Sequence, residues 1–308
     1  MVKNQNNNNS LSSGYLEQKC QKELQKGIMR GKNYVLSLRH GLFENGLGVK
    51  LTNRTGSSLE FMEHRDYLAG DDLRQLDWNV YARTEKLTVK LFREEINPTL
   101  DIIVDGSASM NLLDTDKLAT TLNLIAVFAT AAFNGNYLTK LWKTDESVHE
   151  LSCAINETTT KQLSKELTFN SNKNPLESFE YQYGAFQHNG IRIFISDLLF
   201  AGVPKQLLKK LSLNASAVII IQVLSSEDIS PSVTNSTLVE DSESKEIADI
   251  LVDEDAVKKY KQAFALHQQN WERGCKEAGV VLITLNAEDF QNDLSLKLLI
   301  EQEILRFA

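Results

Sequence analysis

The sequence is poor in the features that mark exported, membrane-spanning or disulfide-built proteins. Three cysteines in 308 residues, Cys20, Cys153 and Cys275, are too few and too scattered for a disulfide framework or a zinc knuckle. The longest apolar stretches, LIAVFATAAF and AVIIIQVL, stop short of the roughly 18 to 20 residues that a membrane-crossing helix needs. The opening residues, MVKNQNNNNSLSSG, hold no apolar run of the kind a secretory signal requires. These absences set an expectation of a reducing, cytoplasmic setting and no transmembrane segment. Several catalytic signatures are missing as well. There is no Walker A sequence, no H-E-x-x-H among the five dispersed histidines and no G-x-S-x-G elbow. Gly46-Leu-Gly48 begins like a dinucleotide fingerprint, but it lacks the third glycine and precedes an expected strand instead of a helix.

What is present is an uneven charge. Residues 1–100 hold 15 Lys and Arg against 12 Asp and Glu, a net of +3, while residues 101–308 hold 18 against 29, a net of −11. So acidic a main body is a poor partner for nucleic acid, because phosphate neutralisation needs clustered cations. The contrast also suggests two modules.

Periodicity gives those modules an outline. Residues 1–13, rich in Asn and Ser, have little to bury and read as a disordered tail. Residues 14–97 read as a smaller N-terminal module. It has a mostly helical stretch from Tyr15 to about Phe43, with Leu16, Cys20 and Leu24 four apart, a hairpin over 49–61 about Thr55-Gly56-Ser57, and a strand LTVKLFREE. After Pro98, strands (TLDIIVD, NYLTKLW, IRIFIS, ASAVIIIQVL and VVLITL) alternate with helical stretches, the pattern of a mainly parallel, doubly wound α/β sheet. The helix after TLDIIVD carries Leu118, Leu122, Ile125, Ala129 and Ala132 on one face, with Asp114 or Thr115 as its cap. A long helix from about Asp253 to Ala278 presents Ala256, Tyr260, Ala263, His267, Trp271 and Cys275, and Gly279 ends it. Residues 237–252 interrupt the alternation as an added hairpin.

The sharpest chemical signal is Asp105-Gly-Ser107-Ala-Ser109, directly after the apolar strand DIIVD. Loops at the carboxyl ends of parallel strands form the binding crevice of such sheets, and one carboxylate with two hydroxyls suits a hard cation that keeps several waters. A second strand-end carboxylate, Asp197 after IRIFIS, is placed to hold a metal-bound water. The same residue types are also ordinary in strand-to-helix loops, where they cap and turn the chain. Spacing alone leaves both readings open. Enzymatic alternatives fit less well. A phosphoaspartyl hydrolase needs a second Asp where Ser107 stands, and no general base is apparent near the loop for a metal-dependent hydrolase.

A second charged segment, HRDYLAGDDLRQLDWNVYAR, combines turn and ion-pair chemistry. Gly70 permits a positive φ, Asp71 can cap the short helical piece that follows and sits three before Arg74, and an Arg fork can close on Asp72 or Asp77. Trp78 offers an apolar or cation–π face. The segment reads either as an ion-paired clasp holding the N-terminal module or as a docking surface.

These motifs resemble known families. DGSAS followed by Met110, on a strand leading to a long helix, resembles the metal-ion-dependent adhesion site of von Willebrand factor A domains. The run from ENGLGVKL through DIIVDGSASM is similar to the bacterial domain of unknown function 58 (DUF58) family, whose hallmark is R-x-Y-x-x-G-D-D-x-R-x-x-D-W-x-x-x-A-R upstream of an A-type domain. Arg65, Tyr67, Gly70, Asp71, Asp72, Arg74, Asp77, Trp78, Ala82 and Arg83 fill that pattern. The segment from TLVEDSES to KEAG resembles the family's C-terminal part, so the likeness covers about residues 40–300. It implies a von Willebrand A-like fold for residues 98–308 and a non-enzymatic adaptor partnering a MoxR-type AAA+ ATPase and its client. It also implies a Mg²⁺ site, with Mn²⁺ or Ca²⁺ as alternatives, at Asp105, Ser107 and Ser109, with Asp197 in the outer shell. One departure stands out: where such domains place a metal-binding Thr, the stretch FNSNKNPLES offers Asn174, with Ser171 nearby.

Overall fold

A computed structural model describes residues 6–37, 60–93, 98–111, 115–151, 155–179, 186–232, 234–240, 247–290 and 294–308. The chain forms two compact units, one of residues 1–47 with 98–308 and one of residues 48–97. The larger unit begins with α1 (Asn6–Gly31) and β1 (Tyr34–Leu36), and the smaller contributes β2 (Glu60–Asp66), α2 (Trp78–Thr84) and β3 (Thr88–Arg93). The larger unit resumes with β4 (Thr99–Asp105), α3 (Lys117–Asn134), β5 (Leu138–Thr144), β6 (Val148–Glu150), α4 (Thr160–Glu166), α5 (Pro175–Ser178), β7 (Gly190–Ser196) and α6 (Pro204–Ser212). It continues through β8 (Ala215–Leu224), α7 (Ser226–Ile229), β9 (Thr234–Glu240), β10 (Ile247–Val252) and α8 (Glu254–Ala278), and closes with β11 (Val281–Asn286), α9 (Ala287–Phe290), α10 (Leu294–Glu301) and β12 (Leu305–Phe307).

Six of these strands make one sheet in the order β11-β8-β7-β4-β5-β6, parallel throughout except for the antiparallel edge β6. The unit is therefore mixed α/β with a mainly parallel sheet. Period-two burial sends alternate side chains to opposite faces. Leu100, Ile102, Val104, Ile191, Ile193, Ile195, Ile219 and Ile221 join a core shared with α1 and α3. Ile103, Phe194, Val218 and Ile220 join a second core with Leu207 and Leu211 of α6 and Trp271 and Cys275 of α8. From β4 the chain steps outward to β5, then returns to the other side of β4 as β7. Connections therefore leave the carboxyl ends of β4 and β7 in opposite directions, which makes this a topological switch point.

Three expectations need correction. The tail expected over 1–13 is helical from Asn6, because α1 runs unbroken to Gly31; Asn and Ser cost only a few tenths of a kcal/mol per residue in a helix whose downstream face is anchored. That helix also belongs to the larger unit and not to a 14–97 module. Its buried Cys20, Leu24 and Ile28 pack on α3, and the approach is so close that a Cβ on Gly27 would lie 2.5 Å from the Asn123 carbonyl oxygen. Glu23 Oε2 accepts from Asn123 Nδ2 at 2.7 Å across the same contact. Finally, the helical stretch does not continue to Phe43. Tyr34–Leu36 is a strand paired antiparallel with β12, from the opposite end of the chain, a partner that no local pattern can reveal.

The cap of α3 falls at Asp116, which makes no side-chain capping bond; Asp114 lies outside the described residues, as do Cys153 and Gly46-Gly48. Among the described residues α3 is the one helix long and apolar enough to cross a membrane, and 83% of it is buried inside the fold. The hairpin expected about Thr55-Gly56-Ser57 also lies outside the described residues, apart from Glu60 and Phe61 in β2. In the smaller unit β2 pairs antiparallel with β3. At 234–252, β9 and β10 pair antiparallel, with Glu240 opposite Ile247. The helix α8 is capped by Asp253, whose carboxylate accepts from Ala256 N, and closed by Gly279 in the left-handed region.

Candidate metal centre

The carboxyl ends of β4 and β7 carry Asp105, Ser107, Ser109 and Asp197. Asp105 ends β4 fully buried. Its Oδ1 accepts from Ser107 N at 2.9 Å and its Oδ2 from Ser196 Oγ at 2.6 Å. Gly106 is required at the next position, because a Cβ there would collide with the Thr144 carbonyl oxygen while Gly106 N donates to that same oxygen at 2.9 Å. The chain then turns so that the Ser107 and Ser109 hydroxyls stand 3.0 Å apart. Ser107 is buried and Ser109 half-buried, so the cluster runs from the core toward solvent.

Asp105 is short of positive charge. No ion pair involves it among the described residues. Burial, and next the nearby Asp197 carboxylate, push its pKa up to about 7 against the hydrogen bonds from Ser196 and Ser107. Asp197, immediately after β7 and also buried, is differently supplied. Lys117 Nζ lies 2.7 Å from its Oδ2, and Leu199 N donates to its Oδ1 at 3.0 Å. Lys117, the first residue of α3, is fully buried and reaches Asp228 Oδ2 at 3.1 Å as well. Burial works against its ammonium, but Asp197 and Asp228 outweigh that cost and its pKa is raised. Asp228 is itself fixed by a capping box with Ser225 at the start of α7.

The second loop differs from the expectation attached to it. Asn174 is the N-cap of α5, with Oδ1 accepting from Glu177 N at 3.1 Å and Nδ2 donating to Glu177 Oε1 at 3.1 Å. Ser171 is the residue the structure brings beside the DGSAS loop. It forms an isolated parallel bridge with Ser107, its carbonyl accepts from Ala108 N at 3.0 Å, and its N–H donates to Gly106 O at 3.0 Å. Sequence reasoning missed Lys117, Ser196 and Asp228. A lone Lys at the head of KLATTLNLIAVFATAAF was a usable signal, because every neighbour on that helix is apolar or small.

Chemically, the cluster offers oxygen donors alone: one carboxylate and two hydroxyls, hard ligands of the kind Mg²⁺ takes with several waters retained. Among the described residues no group of three or more His, Cys, Asp or Glu could hold an ion. A cation here would therefore rest on hydroxyls with a single direct carboxylate. The buried, uncompensated charge of Asp105 fits that donor set.

In the smaller unit the charged segment closes on itself. Asp71 takes Leu68 N at 2.8 Å and Arg65 Nη2 at 2.8 Å; these contacts, the backbone bond foremost, lower its pKa. It therefore does not cap the short helical piece, a role divided between Asp72 and Asp77. Asp72 caps the 3-10 turn Leu73–Gln75 and receives the Arg74 fork, Nε at 3.1 Å and Nη2 at 2.9 Å. Asp77, nearly buried, caps α2 through Asn79 N and Val80 N and also meets His64 Nε2 at 2.8 Å and Lys90 Nζ at 3.3 Å. Its pKa is drawn down to about 2, with His64 the leading cause. Gly70 takes φ +111°. Arg83 lies in the last turn of α2, where a cation complements the helix dipole. Trp78 is 61% exposed with the Tyr81 ring edge-on at 6.2 Å, and Leu68 and Leu73 are similarly open.

Fold and site thus define an α/β protein with a cluster of oxygen-bearing side chains at the switch point of its sheet and a small ion-paired unit inserted before β4. The chain belongs to the family described as "Protein of unknown function DUF58", whose model matches residues 63–270. No curated protein matches it. Among solved structures it is similar to the conserved hypothetical protein BatB from Bacteroides thetaiotaomicron, at 10% identity, 67% of this chain, 98% of that one and a TM-score of 0.37. A second is an aerotolerance-related membrane protein from Bacteroides fragilis NCTC 9343 with multiple mutations to serines, at 13% identity, 68% and 98% coverage and a TM-score of 0.37. The α/β assignment rests on the strand order itself.

Proposed function

We propose that this protein is a non-enzymatic, cytoplasmic adaptor whose larger unit is a von Willebrand A-like domain that presents a divalent cation, Mg²⁺ first, to a carboxylate of a partner protein. Asp105, Ser107 and Ser109 would hold the ion, and Asp197 would act from the outer shell. The observation that carries this reading is Asp105, a fully buried carboxylate with no paired cation among the described residues, beside two hydroxyls 3.0 Å apart that lead toward solvent. Bound there, the ion would neutralise the buried charge and leave coordination positions open to a ligand from outside. Asn174, engaged as a helix cap, is not part of the proposed donor set, and Ser171 is the second-loop residue whose backbone is bridged to Ser107.

The family resemblance supplies the partner in this proposal, a MoxR-type AAA+ ATPase that remodels a client. The test is capture of such an ATPase by the purified protein in Mg²⁺. Loss of capture with EDTA and with Asp105→Ala supports the cation-dependent reading, and capture that survives both overturns it. A second reading is favoured by the exposed Leu68, Leu73, Trp78 and Tyr81 in the Arg65–Arg83 segment: a cation-independent scaffold docking through the small unit. It predicts capture that survives EDTA and is lost on charge reversal at Arg74 or Asp77.

A further inference from the structure

We propose that Lys117 is a positioning residue that holds Asp197 out of direct contact with the cation, leaving Asp105 as the one charged direct ligand and the ion hungry for an outside carboxylate. This inference rests on the cation reading of the site and specifies how that site is tuned.

Both carboxylate oxygens of Asp197 are hydrogen-bonded. One meets Lys117 Nζ at 2.7 Å and the other accepts from Leu199 N at 3.0 Å. The lysine cannot easily yield. Its side chain has no exposed surface, its backbone opens α3, and fifteen residues of that helix are buried. Its ammonium is held from a second side by Asp228 Oδ2 at 3.1 Å, and that oxygen also takes Ser225 N at 2.9 Å within the capping box. A further bond, from Tyr260 Oη of α8 to the Asp228 carbonyl at 2.6 Å, ties the same turn to the long helix. Lys117 is thus clamped between two carboxylates in a rigid setting.

Ligation through Asp197 Oδ2 would break a buried, charge-assisted bond, and ligation through either oxygen would bring a divalent ion toward a fixed ammonium. Both steps are costly where water cannot screen them. Asp105 has no such rival, since its partners are a backbone N–H and a hydroxyl. An ion with one direct carboxylate keeps net positive charge and binds weakly by itself, because affinity for hard cations rises with the number of charged ligands. That residual charge is what an approaching Asp or Glu would satisfy. Lys117 therefore trades intrinsic metal affinity for responsiveness to a partner.

The test is Mn²⁺ titration by calorimetry, with electron paramagnetic resonance of the bound ion, on the full chain. Lys117→Met is expected to tighten Mn²⁺ binding by about tenfold or more as Asp197 joins the direct ligands. Adding Asp197→Asn to that variant is expected to return affinity to the wild-type level, a coupling that damage to the fold would not produce. Lys117→Gln keeps an N–H donor of similar reach if the Met variant folds poorly, and it is expected to shift affinity in the same direction. Binding in the wild type with no gain in folded Lys117→Met or Lys117→Gln overturns the role of Lys117 and leaves the site standing. Absence of binding in the wild type and in every variant overturns both.

Discussion

Two aspartates four residues apart on β4, Asp101 and Asp105, are both wholly buried, yet their surroundings differ in kind. Asp101 is enclosed by donors: Trp142 Nε1 at 2.8 Å, Gln187 N at 3.0 Å and Gln187 Nε2 at 3.3 Å, with Arg192 Nε at 3.9 Å. The Arg192 guanidinium also donates to the Leu211 and Leu213 carbonyls and stacks on Phe186 at 4.7 Å. Burial raises the pKa of Asp101 against these donors, but a cation of the chain stands beside it. Asp105 has two donors, a like-charged neighbour and, among the described residues, no such cation. The same residue type on one strand thus serves as a closed structural knot at the amino end and as an unfinished site at the carboxyl end. A buried carboxylate is a site candidate because of what it lacks, not because it is buried.

The contrast can be broken at its structural end with the largest effect. Asp101→Ala leaves Trp142 Nε1 without its acceptor and the buried Arg192 charge uncompensated, and is expected to cost about 3 to 5 kcal/mol in urea unfolding. By comparison, Asp105→Asn in EDTA at pH 8 is expected to be neutral or stabilising, since it removes an uncompensated charge. A loss as large as that at Asp101 would erase the distinction.

The next effect is pH dependence. The folded pKa of Asp105, about 7, lies above the ordinary carboxylate value of 3.8. Between those values the native state keeps a proton that the unfolded chain has released, so stability falls as pH rises across that window and levels off above it. In EDTA the expected slope reaches about 1.4 kcal/mol per pH unit at most. Unfolding curves from pH 4.5 to 8 should show the decline in the wild type and a flatter profile in Asp105→Asn, with Mg²⁺ offsetting the loss in the wild type alone. A smaller change is expected from Gly106→Ala, about 1 to 3 kcal/mol, because the new Cβ meets the Thr144 backbone and must displace it. Smallest of all is Arg74→Ala. The side chain is 90% exposed and its fork on Asp72 is open to solvent, so thermal unfolding is expected to shift within measurement error.

The sequence carried the parallel sheet and the DGSAS loop clearly, because both are written in local pattern. Strand β8 falls on ASAVIIIQVL and α6 on 204–212, and α8 has its cap at Asp253 and its stop at Gly279. What escaped were relations between distant segments. The repeat of Cys20, Leu24 and Ile28 says that α1 buries a face, but only the small residues at Gly27 and Gly31 hint that its partner is a helix, and nothing local says α3. At the site, Asp105, Ser107 and Ser109 could be nominated by spacing, whereas the pairing of Lys117 with Asp197 spans 80 residues. Asn174 shows the opposite error. A resemblance aligned it with the usual metal-binding Thr as a departure from the pattern, while N-P-L-E, a cap residue followed by Pro and then Glu, is the local signature of a helix start.

On the proposed reading, Asp105 is a buried carboxylate that awaits a divalent cation. Calorimetric titration of Mg²⁺ into wild type and Asp105→Asn at pH 7.5, with folding checked by circular dichroism, tests this most directly. Saturable one-site binding is expected in the wild type and none in Asp105→Asn. Equal heats in the two proteins, or none in either, would contradict it.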